Sequence, residues 1–335
     1  MMLPCPPDAG WELIRRQELP RRAEDGRPLG GFSAVAYERS TDRLWLLSDA
    51  PQGHLVPLAG VTPWLRGTAP LAPGPRLLLR DGAGQLLPAR FDGEGLVLNG
   101  DQAWIVSEGR RNRRLGSQRP PQLLRFSLRN GRQQAEQPLP PAWRFGPGRG
   151  LESNKGPESL SAGPAGSLLL AAEAPLRQDA SGANGDEVRL ALRAADGTIR
   201  EVGRLTIGPS GSALARSQGL TELLSLDSSR GVLALLRSYT PPGEWTAQLQ
   251  WLPWPEGSAQ PPLRPLVGWD LLRVGLPADN WEGMTWGPGL ADGRSTLVLV
   301  SDDNFNPLQR SWVAVLAPRR QARCPDQTTP APNPS

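Results

Sequence analysis

Acidic and polar side chains recur at two matched positions in five segments of this 335-residue sequence. Each segment has the form of a short apolar hairpin, with one polar residue at the opening of its first strand and a second at the end of its second strand. The opening residues are Ser33, Glu94, Glu158, Glu222 and Glu282. The closing residues are Asp49, Glu108, Glu173, Arg237 and Asp302. Successive openings lie 61, 64, 64 and 60 residues apart, and self-similarity at a nearly fixed period indicates a repeat architecture.

The two marked residues of each hairpin are predicted to be neighbours, because the first residue of one antiparallel strand lies opposite the last residue of the other. The predicted pairs are Ser33 with Asp49, Glu94 with Glu108, Glu158 with Glu173, Glu222 with Arg237, and Glu282 with Asp302. Like charges placed directly opposite each other destabilise a sheet unless a proton, a basic side chain or a metal ion lies between them. The acid pairs therefore predict a polar site where the five hairpins meet.

The residue types available to such a site favour a hard divalent cation, which takes carboxylate, amide and water oxygens as ligands. His54 is the single histidine and there are two cysteines, so a zinc or iron site is not expected. Calcium is the predicted cofactor. The predicted metal ligands are Asp49, Glu94, Glu108, Glu158, Glu173, Glu222, Glu282, Asp302 and Asp303. The alternative is that each acid hydrogen-bonds backbone amides of a neighbouring sheet, with Arg237 or Lys155 neutralising the remainder.

The hairpins show strand patterning. Residues 94–98 alternate between two faces, and residues 297–300 form an apolar run of the kind found in strands covered on both sides. A period of about 62 residues suits a four-stranded propeller blade with generous loops. We therefore predict an all-β fold, a β-propeller of five four-stranded blades.

The ring is predicted to close through the N-terminus, because the fifth repeat ends after three strands and residues 11–15 could supply its fourth. Six blades are the alternative, since residues 76–80 have the pattern of an additional strand, and a pair of β-sandwiches is more distant. The predicted domains are an N-terminal extension (1–10), a single propeller (11–318) and a disordered Pro-rich tail (319–335).

Composition excludes several classes of protein. Glycine and proline make up 75 of the 335 residues, which suits short strands and tight turns. There is no apolar run of 18 residues, so no membrane span is predicted. The net charge of +4 comes from scattered arginines, without the stripe of charge and exposed aromatics typical of a nucleic-acid binder. The one dense cluster, at 110–114, is either a solvated loop or a loop that contacts an anion beside the site.

The cellular compartment is left open by the sequence. Cys5 and Cys324 lie near opposite ends of the chain and either form a disulfide, which requires an oxidising compartment, or remain unpaired thiols. The first residues contain no signal-peptide pattern, so we expect either a cytoplasmic protein or a sequence that begins after a processed or omitted leader. We expect a monomer.

Three sequence motifs resemble those of the family named for the esterase-like activity of phytase. The most specific is NWEG at 280–283 followed by LVLVSDDNFN at 297–306 and Gln309. GFSAVAY at 31–37 with LSD at 47–49 resembles the opening motif, and NKGPESL at 154–160 resembles the central one. The resemblance covers roughly residues 30–317.

This resemblance implies a propeller-like fold, export to the periplasm or the extracellular space, and hydrolysis of phosphate or carboxylate esters. By matching positions it points to Ser33, Asp49, Glu94, Asn154, Glu158, Asn280, Glu282, Ser301, Asp302, Asp303, Asn304, Asn306 and Gln309. The fourth repeat departs from the pattern, because it has Glu222 after Thr221 and ends in Arg237.

Three functions are consistent with these residues. The first is calcium-assisted hydrolysis of a small anionic phosphate ester. Its predicted catalytic residues are Glu94, Glu158, Glu282 and Asp302. Its predicted substrate-binding residues are Lys155, Arg110, Arg111, Arg237, Asn154, Asn280 and Asn304. The second is a serine esterase, for which His54 would be the base. The third is a non-catalytic extracellular or periplasmic binding module whose acids and calcium are structural.

Overall fold

The computed structural model describes residues 1–88, 91–112, 117–180, 186–207, 217–227, 230–257, 261–321 and 324. Its strands are β1 (Trp11–Glu18), β2 (Phe32–Glu38), β3 (Arg43–Ser48), β4 (His54–Ala59), β5 (Ala72–Pro73), β6 (Leu77–Leu78), β7 (Gly93–Asn99), β8 (Gln102–Ser107), β9 (Arg110–Asn112), β10 (Ser117–Arg119), β11 (Gln122–Ser127), β12 (Gln133–Pro138), β13 (Pro157–Ala162), β14 (Leu168–Ala172), β15 (Glu187–Arg193), β16 (Ile199–Thr206), β17 (Ser217–Asp227), β18 (Gly231–Thr240), β19 (Glu244–Leu252), β20 (Val267–Asp270), β21 (Asn280–Trp286), β22 (Leu297–Asp302) and β23 (Trp312–Pro318). Its short helices are α1 (Val61–Leu65) and α2 (Leu271–Val274), with single 3-10 turns at Pro7–Ala9, Arg39–Thr41, Pro141–Trp143 and Pro164–Gly166.

The described strands form five antiparallel blades, as predicted. Blade 1 contains β2, β3, β4 and β5, with the short β6 also paired to β4. Blade 2 contains β7, β8, β11 and β12, and the β9–β10 hairpin is inserted between its second and third strands. Blade 3 is formed by β13 to β16, blade 4 by β17 to β20, and blade 5 by β21, β22, β23 and β1.

The first strand of each blade is the innermost strand of the ring. β2 contacts β7 on one side and β21 on the other, while β13 and β17 complete the circle. The apolar clusters lie between adjacent blades; Trp281 of blade 5, for example, belongs to the same buried cluster as Leu235 of blade 4. The segment behind the six-blade alternative, residues 76–80, supplies β6 to blade 1, so it starts no blade of its own.

Residues near the N-terminus lie beside the last described residues of the chain. β1 pairs with β23 in blade 5, which is consistent with closure of the ring by an N-terminal strand. Cys5 and Cys324 form a disulfide with their Cα atoms 5.8 Å apart, and the Cys5 amide donates to the Arg319 carbonyl. Apart from residues 319–321 and 324, the predicted Pro-rich tail lies outside the described residues. No helix in the described ranges is long and apolar enough to cross a bilayer.

A β-bulge at the start of every blade changes the predicted pairing. In blade 2, Gly93 pairs with Ser107 and Gly95 with Val106, so Glu94 is the extra, unpaired residue. The same register shift sets Ser33, Glu158 and Glu282 outside the ladder. The opening residues are therefore not directly opposite the closing residues, so the predicted cross-strand pairing was wrong, although Glu158 and Glu173 do lie close together, with carboxylate oxygens within 4.8 Å of each other. A bulged residue leaves the cross-strand pairing and is re-aimed, which is common beside functional sites.

Each closing residue instead lies opposite the residue two positions before the bulge. The Glu108 amide donates to the Asp92 carbonyl over 3.1 Å, and Asn280 is the register partner of Asp302. The corresponding partners in the other blades are Gly31 for Asp49, Gly156 for Glu173 and Gly219 for Arg237.

Glycine after the bulge lets neighbouring blades approach closely. A Cβ built on Gly283 would lie 2.9 Å from the Ala34 Cα and the Val35 amide nitrogen of blade 1. One built on Gly95 would lie 2.8 Å from the Leu160 amide nitrogen of blade 3. The inner strands therefore pack with backbone almost against backbone, which brings the bulged side chains of successive blades together.

Candidate functional site

The bulged ends of the inner strands surround a cavity of about 320 Å³ at one mouth of the ring. Its lining is mostly polar and comprises Asp49, Asp92, Glu94, Glu108, Asn154, Lys155, Glu158, Glu173, Arg237, Tyr239, Trp245, Asn280, Glu282, Asp302 and Asn304. Eight of these side chains are acids and two are cations, so the described part of the cavity has a large excess of carboxyl groups.

Most of the site residues predicted from the sequence meet in this cavity. All four predicted catalytic residues line it: Glu94, Glu158, Glu282 and Asp302. Five of the seven predicted substrate-binding residues also line it: Lys155, Arg237, Asn154, Asn280 and Asn304. Arg110 and Arg111 lie on β9, and their side chains are outside the described residues.

Two predicted metal ligands lie outside the cavity lining. Glu222 is 1% exposed, and its Oε1 accepts from the amides of Leu160 at 3.1 Å and Leu223 at 3.0 Å. Asp303 is also buried, and its Oδ1 accepts from the amides of Gly31 at 3.0 Å and Phe305 at 3.1 Å. Each carboxylate thus joins backbone segments of two blades, which is the alternative role for a single acid.

The fourth blade explains the error at Glu222. Leu220 pairs with Leu236 and Glu222 pairs with Leu235, so the bulged residue of blade 4 is Thr221. The Thr221 hydroxyl lies 3.3 Å from the Trp281 carbonyl of the next blade. Ser33 makes the equivalent bond, donating to the Gly93 carbonyl over 2.7 Å. Blades with a hydroxyl at the bulge therefore use it to bind the following blade, and Glu222 falls on the opposite side of the strand.

Three lining residues were missed from the sequence. Asp92 lies two residues before the bulged Glu94, the place that Asn280 occupies before Glu282. Aligning the repeats on the residue two before the bulge would have found it. Tyr239 and Trp245 come from an extension of blade 4 that has no counterpart in the repeat pattern.

Arg237 divides the carboxyl groups into two sets. Its Nη1 lies 3.4 Å from Glu173 Oε1 and its Nη2 lies 3.2 Å from Glu282 Oε1. Glu282 Oε1 also accepts from Asn280 Nδ2 over 2.7 Å. The single positive charge of the guanidinium is therefore shared between one acid of blade 3 and one of blade 5, and the other acids of the cavity need protons or a further cation to balance their charge.

Glu108, Glu158 and Glu173 form the tightest acidic group. All three are buried, and one carboxylate oxygen of each lies within 4.8 Å of the others, a spacing at which one metal ion could be held. Glu108 is further positioned by the Gly156 amide, which donates to its Oε1.

Two other lining oxygens are buried without a hydrogen-bond partner among the described residues, namely Asp49 Oδ1 and Asn280 Oδ1. Buried polar atoms of this kind cost free energy unless a water or an ion satisfies them. Carboxylate and amide oxygens that line one cavity are the donor set of a hard divalent cation.

Burial and mutual repulsion raise the pKa of the cavity carboxyls. The pKa of Asp49 is raised to about 7, first by burial and then by Glu282 and Asp92. The pKa of Glu108 is raised to about 8 by burial and by Asp92. Burial also raises the pKa of Glu158, with Glu173 adding to the shift. Several of these groups therefore hold a proton near neutral pH unless a cation replaces it.

A family model described as phytase-like, esterase-like activity of phytase, matches residues 27–305. The chain belongs to this family. The prediction from the motifs at 31–37, 154–160 and 280–309 is confirmed. Comparison with curated protein sequences finds no significant match.

Two solved structures have a weak overall similarity to this member of the phytase-like family. An exo-β-1,3-galactanase from Phanerochaete chrysosporium has a TM-score of 0.49, with 7% identity over 90% of this chain and 64% of that one. An endo-arabinase from Bacteroides thetaiotaomicron has a TM-score of 0.48, with 13% identity over 87% and 94% of the two chains. At such scores the likeness carries no argument about activity.

Several residues that match the phytase-like motifs brace loops and do not line the cavity. Ser301 Oγ donates to the Arg310 carbonyl over 2.8 Å and accepts from the Trp312 amide. Asn306 Oδ1 accepts from the Leu308 amide at 3.0 Å, and the Gln309 amide donates to the Asn306 carbonyl. In this family member, the segment after β22 is held in a fixed shape beside Asp302 and Asn304.

His54 lies away from the cavity lining. It is 3% exposed in β4, and its Nδ1 lies 2.8 Å from the Gln52 carbonyl oxygen. The serine-esterase alternative therefore lacks a histidine base at this site within the described chain.

Proposed function

We propose that the protein is a calcium-assisted hydrolase of small phosphate esters that acts at the acidic mouth of the propeller. The observation that carries the proposal is the buried group of Glu108, Glu158 and Glu173, placed beside a basic side chain in one cavity. Membership of the phytase-like family supports a hydrolase of esters.

The residues present fit a divalent cation. The three glutamates supply carboxylate oxygens at a suitable spacing, and the unpartnered oxygens of Asp49 and Asn280 supply further donors across the cavity. When bound, calcium would offset the charge of a phosphate group and lower the pKa of a coordinated water.

The remaining lining residues bind the substrate and move the proton. Arg237 and Lys155 present N–H donors to the phosphate oxygens, as charge-assisted hydrogen bonds. Glu282 is held in position by Asn280 and Arg237, and Asp302 Oδ1 by the Asn304 amide at 2.8 Å. Glu94 is the proposed general base: it lines the cavity, and burial and the neighbouring Glu158 raise its pKa above that of an ordinary carboxyl, which makes its carboxylate form a stronger base.

A direct test compares the hydrolysis of 4-nitrophenyl phosphate by protein stripped with chelator and by the same protein after calcium is restored. We expect turnover only with calcium, and no recovery when the chelator is kept in excess. Absence of turnover on aryl and alkyl phosphates under both conditions would contradict the proposal.

A second candidate is the non-catalytic binding module, favoured by the ion pairs that Arg237 already makes with Glu173 and Glu282. In that case calcium would raise the melting temperature through binding to the native state alone, without turnover. The two readouts from one preparation separate the candidates.

We also propose that the protein works in an oxidising compartment, the periplasm or the extracellular space, and that β1 closes the ring. The Cys5–Cys324 disulfide joins the segments flanking β1 and β23, and such bonds persist where thiols are not kept reduced.

The Cys5→Ser, Cys324→Ser double variant should lose about 2–4 kcal/mol of unfolding free energy. Urea unfolding of oxidised and reduced wild-type protein provides the matched control, because reduction should reproduce the loss. Equal urea midpoints for the oxidised, reduced and variant proteins would show that the disulfide does not stabilise the closed ring.

A further inference from the structure

Blade 4 extends beyond the other blades at the cavity mouth. In blades 1, 2 and 3 the second strand ends one residue before the closing acid, and in blade 5 it ends at that acid. In blade 4, β18 runs three residues past the closing residue, Arg237, to Thr240, and β19 returns from Glu244. This hairpin forms a wall on one side of the cavity.

The wall presents two aromatic rings to the cavity. Tyr239 and Trp245 are register partners on β18 and β19, and both line the cavity together with the acids. Their ring centroids are 4.5 Å apart and their planes are inclined by 38°. Both side chains are only partly buried, so part of each ring is exposed where the pair lines the cavity.

The aromatic pair lies directly beyond the charged part of the site. Arg237 and Tyr239 are two residues apart on one strand, so their side chains lie on the same face, with Cα atoms roughly 7 Å apart. A ligand whose anionic group contacts Arg237 therefore has its next few atoms beside the Tyr239 and Trp245 rings.

The charge of the cavity restricts what those atoms can be. Eight acids against two cations give no place for several further phosphates, whereas an aromatic surface suits an uncharged, flat group. We propose that Tyr239 and Trp245 form a stacking subsite for the organic part of the substrate, which makes the enzyme selective for phosphomonoesters of a planar aromatic ring. This inference rests on the proposed function, because the phosphate position defines the subsite.

The test measures binding separately from turnover. Phenylphosphonate and methylphosphonate, which have no ester bond to hydrolyse, are titrated by calorimetry into the calcium-loaded protein. We expect phenylphosphonate to bind at least about tenfold more tightly, or ~1.4 kcal/mol. In the Trp245→Ala variant, the ratio of the affinity for phenylphosphonate to that for methylphosphonate should fall to about 1. The Trp245→Phe variant should retain most of the preference, since an aromatic face remains.

Trp251→Ala is the matched control, because Trp251 is another partly buried tryptophan of β19 that is not part of the cavity lining. It should leave the ratio unchanged. If the aromatic pair only stabilises the hairpin, Trp245→Ala will lower the melting temperature and leave the phenyl-to-methyl ratio as in the wild type, which overturns the subsite.

Hydrolysis of phenyl phosphate, followed in parallel, separates this inference from the proposed function. A Trp245-dependent ratio without turnover supports the subsite and contradicts the hydrolase. Turnover without such a ratio supports the hydrolase and overturns the subsite. If neither phosphonate binds and no turnover is seen, both proposals are overturned.

Discussion

The Glu158→Gln variant should lose calcium binding and calcium-dependent turnover by at least about 100-fold while remaining folded. Glu158 is the bulged residue of blade 3 and belongs, with Glu108 and Glu173, to the tightest acidic group of the cavity. Glutamine keeps the size of the side chain but replaces a charged oxygen ligand with a neutral amide. Calorimetric titration with calcium, together with the hydrolysis of 4-nitrophenyl phosphate, measures both losses.

Glu222→Gln is the matched control for this prediction. Glu222 is buried like Glu158, but its Oε1 accepts from the Leu160 and Leu223 amides outside the cavity lining. A glutamine oxygen can accept the same bonds, so calcium affinity and turnover should stay within about twofold of the wild type. Equal losses in both variants would mean that burial of a charge, and not its place in the cavity, controls calcium binding.

The Arg237→Met variant should lose about 3–5 kcal/mol of unfolding free energy near neutral pH in the presence of a chelator. Methionine keeps an unbranched apolar stem, so the main change is the loss of the cation from beside Glu173 and Glu282. Removal of one partner from a buried ion pair leaves the other charge without compensation, and here two carboxyls are affected.

The loss in the Arg237→Met variant should depend on pH in a defined direction. Burial raises the folded-state pKa of Glu173 and Glu282 above the ordinary value of 4.5, and Arg237 opposes that shift. Without Arg237 both pKa values rise further. A carboxyl whose folded-state pKa exceeds its unfolded-state pKa holds its proton better in the folded state, so stability falls as pH rises between the two values. The difference from wild type should thus be larger at pH 8 than at pH 5.

Urea unfolding at the two pH values measures this difference, with Arg237→Lys as the variant that retains the charge. The lysine variant should lose less than the methionine variant at pH 8. If the Arg237→Met variant loses the same unfolding free energy at both pH values, the loss comes from changed packing and not from the charges of Glu173 and Glu282.

The architecture could be predicted from the sequence because its signal is repeated five times. One segment such as 94–108 could have belonged to many all-β folds, whereas five copies at a nearly constant spacing require blades arranged around an axis. The polar residue that follows the apolar run of each second strand also correctly predicted that the closing acids line one cavity.

The register at the mouth could not be predicted in the same way. A bulge adds one residue to one strand without changing the alternation on either side of it, so Glu94 still has the pattern of the first residue of a regular strand. In blade 4 the bulge is not visible in the sequence, so the prediction selected the acid Glu222 and not Thr221, the residue that occupies the bulge. Asp92 was missed for the same reason, because its cross-strand relation to Glu108 exists only in the bulged register.

The aromatic wall depends on a departure from the repeat, which periodicity is unable to reveal. The three additional residues of β18 after Arg237 have the pattern of ordinary strand and turn sequence, and nothing local indicates that they stand above a cavity. Tyr239 and Trp245 become part of the site only when blades 3, 4 and 5 are in place around it.

The bulged residue of each blade has no cross-strand partner in its own sheet, so its side chain can be replaced without changing the strand pairing. Ser33 and Thr221 occupy it with hydroxyls and Glu94, Glu158 and Glu282 with acids, yet all five hairpins keep the same hydrogen-bonding scheme. The number of anionic groups in the ring can thus be reset one blade at a time by single substitutions, which offers a route to redesigning the cation capacity of this scaffold.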